Sequence, residues 1–405
     1  MPLYIDTSPL KNYPLYRKVF FGQLISIFGS QITNVALPWQ IYALTGSAFD
    51  VGAMAMVQLV PLLSMGMIGG AIADSFDRRW VCIISEILLA LCNAILILLT
   101  LCNSITVGWI YALGACMSAL NALHRPAFAA LIPQLVPKTV LSRISPLNSF
   151  ISNFGMIAGP ALGGLLISQF GIAWTYAVDL LAYLFAISML LQLPSLKVSS
   201  DFIPVSLKRI REGMAYVKER RDLHGTYIVD IIAMTLAFPN PLFPLLAASI
   251  AGADKLGWYY SSIAIGALIA TLTSRWTLFK KHHGQMITFS ASLWGLCIVL
   301  FGLSLNFFYL SLFFLMAAGF FDMVSGIFRS TMWNETIPHD KRGRLASVEM
   351  LSYASGPLIG STLMGWMADV WSASQALMIG GVSCFIICLL GGWSLRAFWQ
   401  YEAQA

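Results

Sequence analysis

Residues 80–101 read WVCIISEILLALCNAILILLTL, an apolar run whose one charged residue is Glu86. A helix rises 1.5 Å per residue, so this run matches the roughly 30 Å hydrocarbon layer of a bilayer. Moving outward, similar runs lie at roughly 18–44, 51–73, 107–131, 144–168, 172–193, 225–248, 255–278, 285–304, 308–333, 344–368 and 373–395. With 80–101 they make about twelve spans, each near the length a bilayer requires. The composition agrees. Hydrophobic residues are 58% of the 405 and charged residues 10%, where a soluble domain carries about 25% charged. Mean hydropathy is +0.76. One soluble core does not explain runs of this number and length.

Backbone polar groups in lipid must be satisfied within the protein, so the spans are expected to be helices. Barrel strands alternate polar and apolar over about ten residues, whereas these runs are continuous. The first run is too long for a cleavable signal peptide and lacks a small-residue cleavage site, so it reads as the first helix.

Lys and Arg set the expected topology. With a cytoplasmic N-terminus, the outward loops hold almost no basic residue, Lys255 being the exception. Arg125 and Arg329 lie within spans, and the remaining basic residues fall on the inward side. This asymmetry predicts both termini inside. The net charge of +6 is then topological, and no basic stretch is interleaved with stacking aromatics as nucleic-acid binding would require. The seven cysteines lie in apolar spans or at their ends and form no CxxC pair. They read as small packing residues. The histidines show no HExxH spacing, so neither a metal nor a cofactor is expected.

The longest polar stretch, 194–223, divides the spans six and six. Ser206 to Arg221 fits a short amphipathic helix, with Leu207, Ile210, Met214 and Val217 on one face and basic residues around it. Such a helix suits the anionic cytoplasmic surface of a membrane. The expected domains are residues 1–193, a linker at 194–223, and residues 224–405. The halves echo each other. The fifth span carries GPALGG at 159–164 and the eleventh GPLIGS at 356–361. The fourth and tenth each carry one arginine, Arg125 and Arg329. Internal repeats of this kind mark secondary transporters.

Four segments carry a resemblance to the major facilitator superfamily: GAIADSFDRR at 70–79, GMIAGPALGG at 155–164, HRPAFAALIPQLVP at 124–137, and Arg342-Gly343-Arg344. With the opening FFGQLISIFGSQITNVALPWQIYALTGS at 20–47, the chain resembles the exporter branch that holds siderophore (enterobactin) exporters and macrolide efflux proteins. The resemblance implies twelve transmembrane helices in two pseudo-symmetric six-helix bundles. It also implies a multi-pass protein of the bacterial inner membrane and a cavity lined by helices 1, 4, 7 and 10. The chain departs from the pattern in two places. The loop between the eighth and ninth spans has lost the Gly and Asp of the signature, and the first span has no carboxylate.

The residues give these implications physical content. Gly70 permits close helix approach, Asp74 can meet a helix N-terminus, and Arg78 and Arg79 can hold that carboxylate or lipid phosphate. Together they form a candidate cytoplasmic latch, the alternative being an ordinary charged loop. Asn148, Ser152, Gly155, Gly159 and Gly163 recur every three or four residues and share a face, as do Ser352, Gly356 and Gly360. With Pro160 and Pro357 nearby, these stripes read as bending, water-excluding seams between the halves, or as static packing. Gln23, Ser26, Ser30 and Asn34 line one side of the first span. Asn121 and Arg125 share a face of the fourth, and Arg329 and Trp333 of the tenth. Asn240 sits in a Pro239-Asn240-Pro241 break. These are the candidate cavity residues.

A charge near the bilayer centre costs about 2.5–3.5 kcal/mol on insertion scales, so intramembrane acids are functional candidates. Asp322 is the deepest and Asp230 second, with Glu349 at the edge of the small-residue stripe. We expect Asp322 to alternate between a proton and an arginine, Arg329 standing two turns away on the same face. A fixed structural ion pair is the alternative. Glu86 and Asp179, on spans expected to be peripheral, read as groups satisfied by local partners.

The function these features imply is secondary active transport. A proton-coupled antiporter would move a siderophore or similar amphipathic small molecule outward by alternating access. A multidrug or macrolide efflux pump and a siderophore importer are the alternatives on this fold. A non-transporting membrane sensor or enzyme would need a soluble domain or catalytic constellation, and no GxSxG or other such motif is present. The expected partners are the small-molecule substrate, protons and membrane lipid, with the protein acting as a monomer.

Overall fold

The structure is a computed structural model. It describes residues 6–194, 220–250, 252–337 and 342–402; for 67–71, 73–75, 138, 221–222, 278 and 342–354 only the backbone is described, save the Ile72 side chain between them. Of the linker expected at 194–223, residues 195–219 lie outside the described residues, and Arg221 to Leu223 already belong to a helix, Arg221–Leu236.

The first six long helices are α1 Pro14–Thr45, α2 Ala48–Ser75, α3 Arg78–Leu101, α4 Val107–Leu135, α5 Leu141–Phe170 and α6 Ile172–Leu191. The second six are α7 Arg221–Leu236, α8 Ala253–Leu272, α9 His283–Leu303, α10 Phe308–Thr336, α11 Arg342–Val370 and α12 Ala373–Ser394. The chain is an all-α membrane protein of twelve transmembrane helices in two six-helix bundles. Nine spans among the described residues are long and apolar enough to cross a bilayer by composition alone. Of the other three, α4 is diluted by Asn121, His124 and Arg125 and α8 by Asp254 and Lys255, while in α11 the described side chains begin at Ser355.

Local chemistry sets the helix boundaries. Asp77 caps α3 by accepting from the Arg79 amide, and Thr106 caps α4 by accepting from Trp109, satisfying amides that have no partner within the helix. Gly171 ends α5 at φ +87 and admits the abrupt start of α6. Two prolines with Asn240 between them break the seventh span. Helix α7 stops at Leu236, a 3-10 turn covers Asn240–Leu242, and the helix resumes over Phe243–Ser249.

Helix α3 shows the logic of a protein in lipid. Its buried side carries Ser85, Glu86 and Asn93 beside Leu89 and Leu96, while Ile84, Ile87, Leu91 and Leu98 face outward. Apolar out and polar in is the reverse of a soluble surface helix.

Packing divides the chain into two units. The first takes Met1–Leu44, Val57–Val205 and Gly252–Gly257; the second takes Thr45–Met56, Ser206–Ala251 and Trp258–Ala405. The start of α2 therefore packs with the second unit and the start of α8 with the first. In the first unit, Val19, Val81, Cys82, Ile83, Leu131 and Leu190 form one apolar cluster. Phe20, Ile132, Ile144, Leu147 and Ile151 form another. In the second unit Phe243 stacks on Tyr259, which meets Phe301 and Phe308 edge to face. The fully buried Phe398 sits where a Cβ on Gly225 of α7 or Gly284 of α9 would collide with it.

Candidate functional site

In the first unit a cavity of about 400 Å³ opens between α1, α2, α3, α4, α5 and α6. Gln23, Ser30 and Asn34 of α1 and Asn121 and Arg125 of α4 line it, so five of the sequence-derived cavity residues meet in one place. They do so because the spacing of three to four residues sets each group on one helix face. Local hydrogen bonds hold the lining. Asn34 donates to Gln31 at 2.7 Å, Ser118 donates to the Gln58 carbonyl at 3.0 Å, and Ser30 shares a 2.9 Å contact with the Tyr183 hydroxyl.

The two acids expected to satisfy local partners behave differently. Asp179 fits that expectation: its Oδ2 accepts from Thr33 at 2.6 Å and from Asn93 at 2.9 Å, wholly buried. Glu86 does not. It lines the cavity with His124, whose Nε2 lies 3.5 Å from Glu86 Oε1. Reading α3 as peripheral hid Glu86, and the polar residues Ser85, Glu86 and Asn93 on its buried side were the signal that it faces inward.

The second unit holds a charge cluster. Arg329 of α10 forms a direct ion pair with Asp230 of α7, and its Nη2 stands 3.9 Å from Asp322 on its own helix. Asp230 is nearly buried, while the Asp322 side chain keeps 38% of its exposure. Asp322 and Arg329 were expected to share a face; the dominant pairing of Arg329 with Asp230 was not legible. Asn240 lies in the 3-10 turn of α7. Trp333 packs partly buried against Leu223 and Ile337. A second cavity lies near Tyr259, Asn306, Phe308 and Ser374, and neither Asn240, Arg329 nor Trp333 lines it.

The candidate gating residues divide by what surrounds them. Gly70 and Asp74 lie in the backbone of α2, but their side chains fall outside the described residues, as does that of Glu349 in α11. Arg78 donates to the Ala130 carbonyl at 3.1 Å. Arg79 donates to the Leu190 and Leu191 carbonyls at 3.0 and 2.8 Å. Arg79 thereby caps the C-terminal carbonyls of α6, where a cation complements the helix dipole.

The small-residue stripes pack as close helix contacts. A Cβ on Gly155 would stand 2.6 Å from Ile27, one on Gly159 2.6 Å from Gln31, and one on Gly163 3.3 Å from the Ile32 carbonyl. That face of α5 lies on α1, and its neighbouring Pro160 and Gly164 meet the start of α8. Helix α11 repeats the scheme. Gly356 and Gly360 lie on α7 at Met234, and Ser361 and Gly365 meet the start of α2 at Gly52 and Ala48. Pro160 and Pro357 stand inside continuous helices.

At the start of α2, Asp369 of α11 takes the role of a cap. Its carboxylate accepts from the Ala48 amide at 2.9 Å, the Phe49 amide at 3.1 Å and the Ser47 hydroxyl at 2.6 Å. Sequence reasoning missed it, because the capping residue lies more than three hundred positions away.

Two six-helix bundles, one with a polar cavity and the other with a cluster of two acids and an arginine, define a membrane transporter of the major facilitator type. The family model described as "Transmembrane secretion effector" matches residues 6–401, and the chain belongs to that family. It is 26% identical over 414 residues to the enterobactin exporter EntS of Shigella boydii serotype 18, covering 99% of this chain and 97% of that protein. Identity and coverage are the same for EntS of Escherichia coli O1:K1 / APEC. Among solved structures it resembles the nucleoside transporter NupG, with TM-score 0.75 and 15% identity over 96% of this chain and 99% of that one. A bacterial homologue of the human lysosomal transporter Spinster, solved inward-facing and unoccupied, matches with TM-score 0.75 and 13% identity over 98% and 100%. At these identities the structures speak for the fold alone.

Proposed function

We propose that this transporter is a proton-coupled exporter of a siderophore or similar amphipathic small molecule, working by alternating access from the bacterial inner membrane. The observation that carries the reading is the Asp230–Arg329–Asp322 cluster. Two carboxylates share one guanidinium, leaving one uncompensated negative charge at membrane depth. One proton neutralises it, and such groups mark proton pathways in transporters. The ion pair with Asp230 supports Asp322, the more open acid, as the group that exchanges the proton. Glu349 is a further candidate.

In this account both termini face the cytoplasm, residues 1–193 and 224–405 are the moving halves, and 194–223 links them. Cargo enters from the cytoplasm and contacts Gln23, Ser30, Asn34, Asn121 and Arg125. Asn240, Arg329 and Trp333 serve from the other half. Gly70, Asp74, Arg78 and Arg79 gate the inner side, and the stripes Gly155–Gly159–Pro160–Gly163 and Gly356–Pro357–Gly360 let the helices bend and slide. Coupling requires cargo and proton to favour different states. The enterobactin exporters at 26% identity favour an outward direction and a siderophore cargo. Arg125 suits an anionic group on that cargo. A macrolide or other lipophilic drug is the second reading, favoured by the amide and hydroxyl lining of the cavity, and an importer of a siderophore is the third.

The test is uptake into inverted vesicles under an imposed pH gradient, with siderophores and macrolides as cargo. Gradient-dependent uptake of a siderophore is expected. Uptake that persists when the gradient is collapsed would defeat proton coupling, and accumulation in intact cells that rises with expression would indicate import.

A further inference from the structure

The deep end of the first unit's cavity holds polar groups that the account above leaves unused. Glu86 and His124 are 2% and 7% exposed, and both line the cavity. The nearest approach, Nε2 to Oε1, is 3.5 Å, longer than a hydrogen bond. Glu86 Oε2, His124 Nε2 and Gln23 Oε1 are all buried without a hydrogen-bond partner, and all three residues line the same cavity. Unsatisfied buried polar atoms are uncommon and call for a guest or a role.

The surroundings narrow the possibilities. From α3, the Cys82 thiol lies beside the imidazole. From α4, Arg125 lines the cavity in a more exposed position. From α6, Asp179 and Tyr183 lie close by, with Tyr183 within electrostatic reach of both Asp179 and Glu86. Helix α1 contributes Gln23, Ser26 and Ser30, α2 contributes Gln58 and Leu62, and α5 contributes Ser152 and Met156, all uncharged. The imidazole therefore faces two titratable groups of α3, the Cys82 thiol and the Glu86 carboxylate, and of these Glu86 lines the cavity.

We propose that Glu86 and His124 form a proton-binding site in the first unit, separate from the Asp230–Arg329–Asp322 cluster and open to the cargo cavity. With one proton the pair carries no net charge, whether the proton sits on the carboxyl or on the imidazole. Without it, a lone buried carboxylate remains, which low-dielectric surroundings disfavour. Moving the proton between the carboxyl and the imidazole does not change the net charge, and both residues line the cavity that receives cargo. The transporter thus has two proton stations, one in each unit. That cargo displaces this proton rests on the transport reading above; that the pair binds it does not.

The test is pH-titrated infrared difference spectroscopy on the full-length protein in lipid nanodiscs. A carboxyl or imidazole signal that titrates is expected in the wild type. E86Q and H124Q should each abolish it, and D322N should leave it in place. Glu86→Asp, which keeps the carboxyl, should retain the signal with a midpoint moved by about tenfold in proton concentration, and it guards against misfolding of the glutamine variant. A titrating signal unchanged in both E86Q and H124Q, or no titrating signal from either group, would overturn the proposal. Loss of gradient-driven transport in D322N alone bears on the other cluster and leaves this result standing.

Discussion

Arg329 is held between two acids on different helices, paired directly with Asp230 of α7 and 3.9 Å from Asp322 of α10. The two contacts are unequal. Asp230 is nearly buried in its pair, while the Asp322 side chain keeps 38% of its exposure. Substituting the two acids should therefore give different results. Asp322→Asn keeps the Asp230–Arg329 pair, so the variant should lose less stability than Asp230→Asn. Its cargo transport should lose dependence on the pH gradient. Thermal unfolding in detergent and gradient-driven uptake measure the two effects.

Asp230→Asn removes the closer partner of Arg329 and leaves it with Asp322, 3.9 Å away. Removing one partner of a buried pair costs about 3–5 kcal/mol, and the partial exposure of Arg329 places the loss at the lower end. Adding both Arg329→Gln and Asp322→Asn should recover part of it, because every charge of the cluster then goes. Comparing the melting of the single and triple variants decides the point. A triple variant less stable than Asp230→Asn alone would show that Arg329 or Asp322 stabilises by other contacts.

Asp369→Ala removes the cap from the first turn of α2. Loss of an N-cap costs about 1–2 kcal/mol, and the carboxylate here also complements the helix dipole. Lowered thermal stability is expected, with amide exchange at Ala48 and Phe49 quickened. Asp369→Asn, which retains one acceptor oxygen, should lose less. Unchanged exchange at those amides in the alanine variant would argue that the cap is dispensable.

Glycine serves packing at some positions and not at others. A methyl at Gly360 would meet the Met234 carbonyl of α7, whereas one at Gly391 of α12 meets nothing within 4 Å. Gly360→Ala should destabilise and slow transport, since overpacking costs about 1–3 kcal/mol. Gly391→Ala should be neutral or stabilising by up to about 1 kcal/mol, as expected for glycine replaced in a helix. Melting and uptake assays on both variants separate close packing from mere helix propensity.

The twelve helices were legible because a bilayer imposes a length, and the break in α7 because Pro239 and Pro241 each deny the helix an amide. The polar faces of α1 and α4 were legible for a similar reason, since residues three or four apart must share a side. What the sequence hid depends on distance along the chain. Asp369 caps Ala48 through a fold-level encounter that no local pattern announces. The pairing of Arg329 with Asp230 joins two helices, and sequence spacing orders residues only within one. Glu86 was hidden differently, by reading α3 as peripheral and its acid as satisfied locally; its own Ser85 and Asn93 point to the inward side.

The central claim is that outward cargo movement is exchanged for protons through Asp322. The most direct measurement is proton flux in proteoliposomes of known orientation, loaded with a pH gradient and then given a siderophore on the cytoplasmic side. Wild type should dissipate the gradient only when cargo is added, and D322N should not respond. Cargo transport without any proton movement in wild type, or an equal proton flux in D322N, would contradict it.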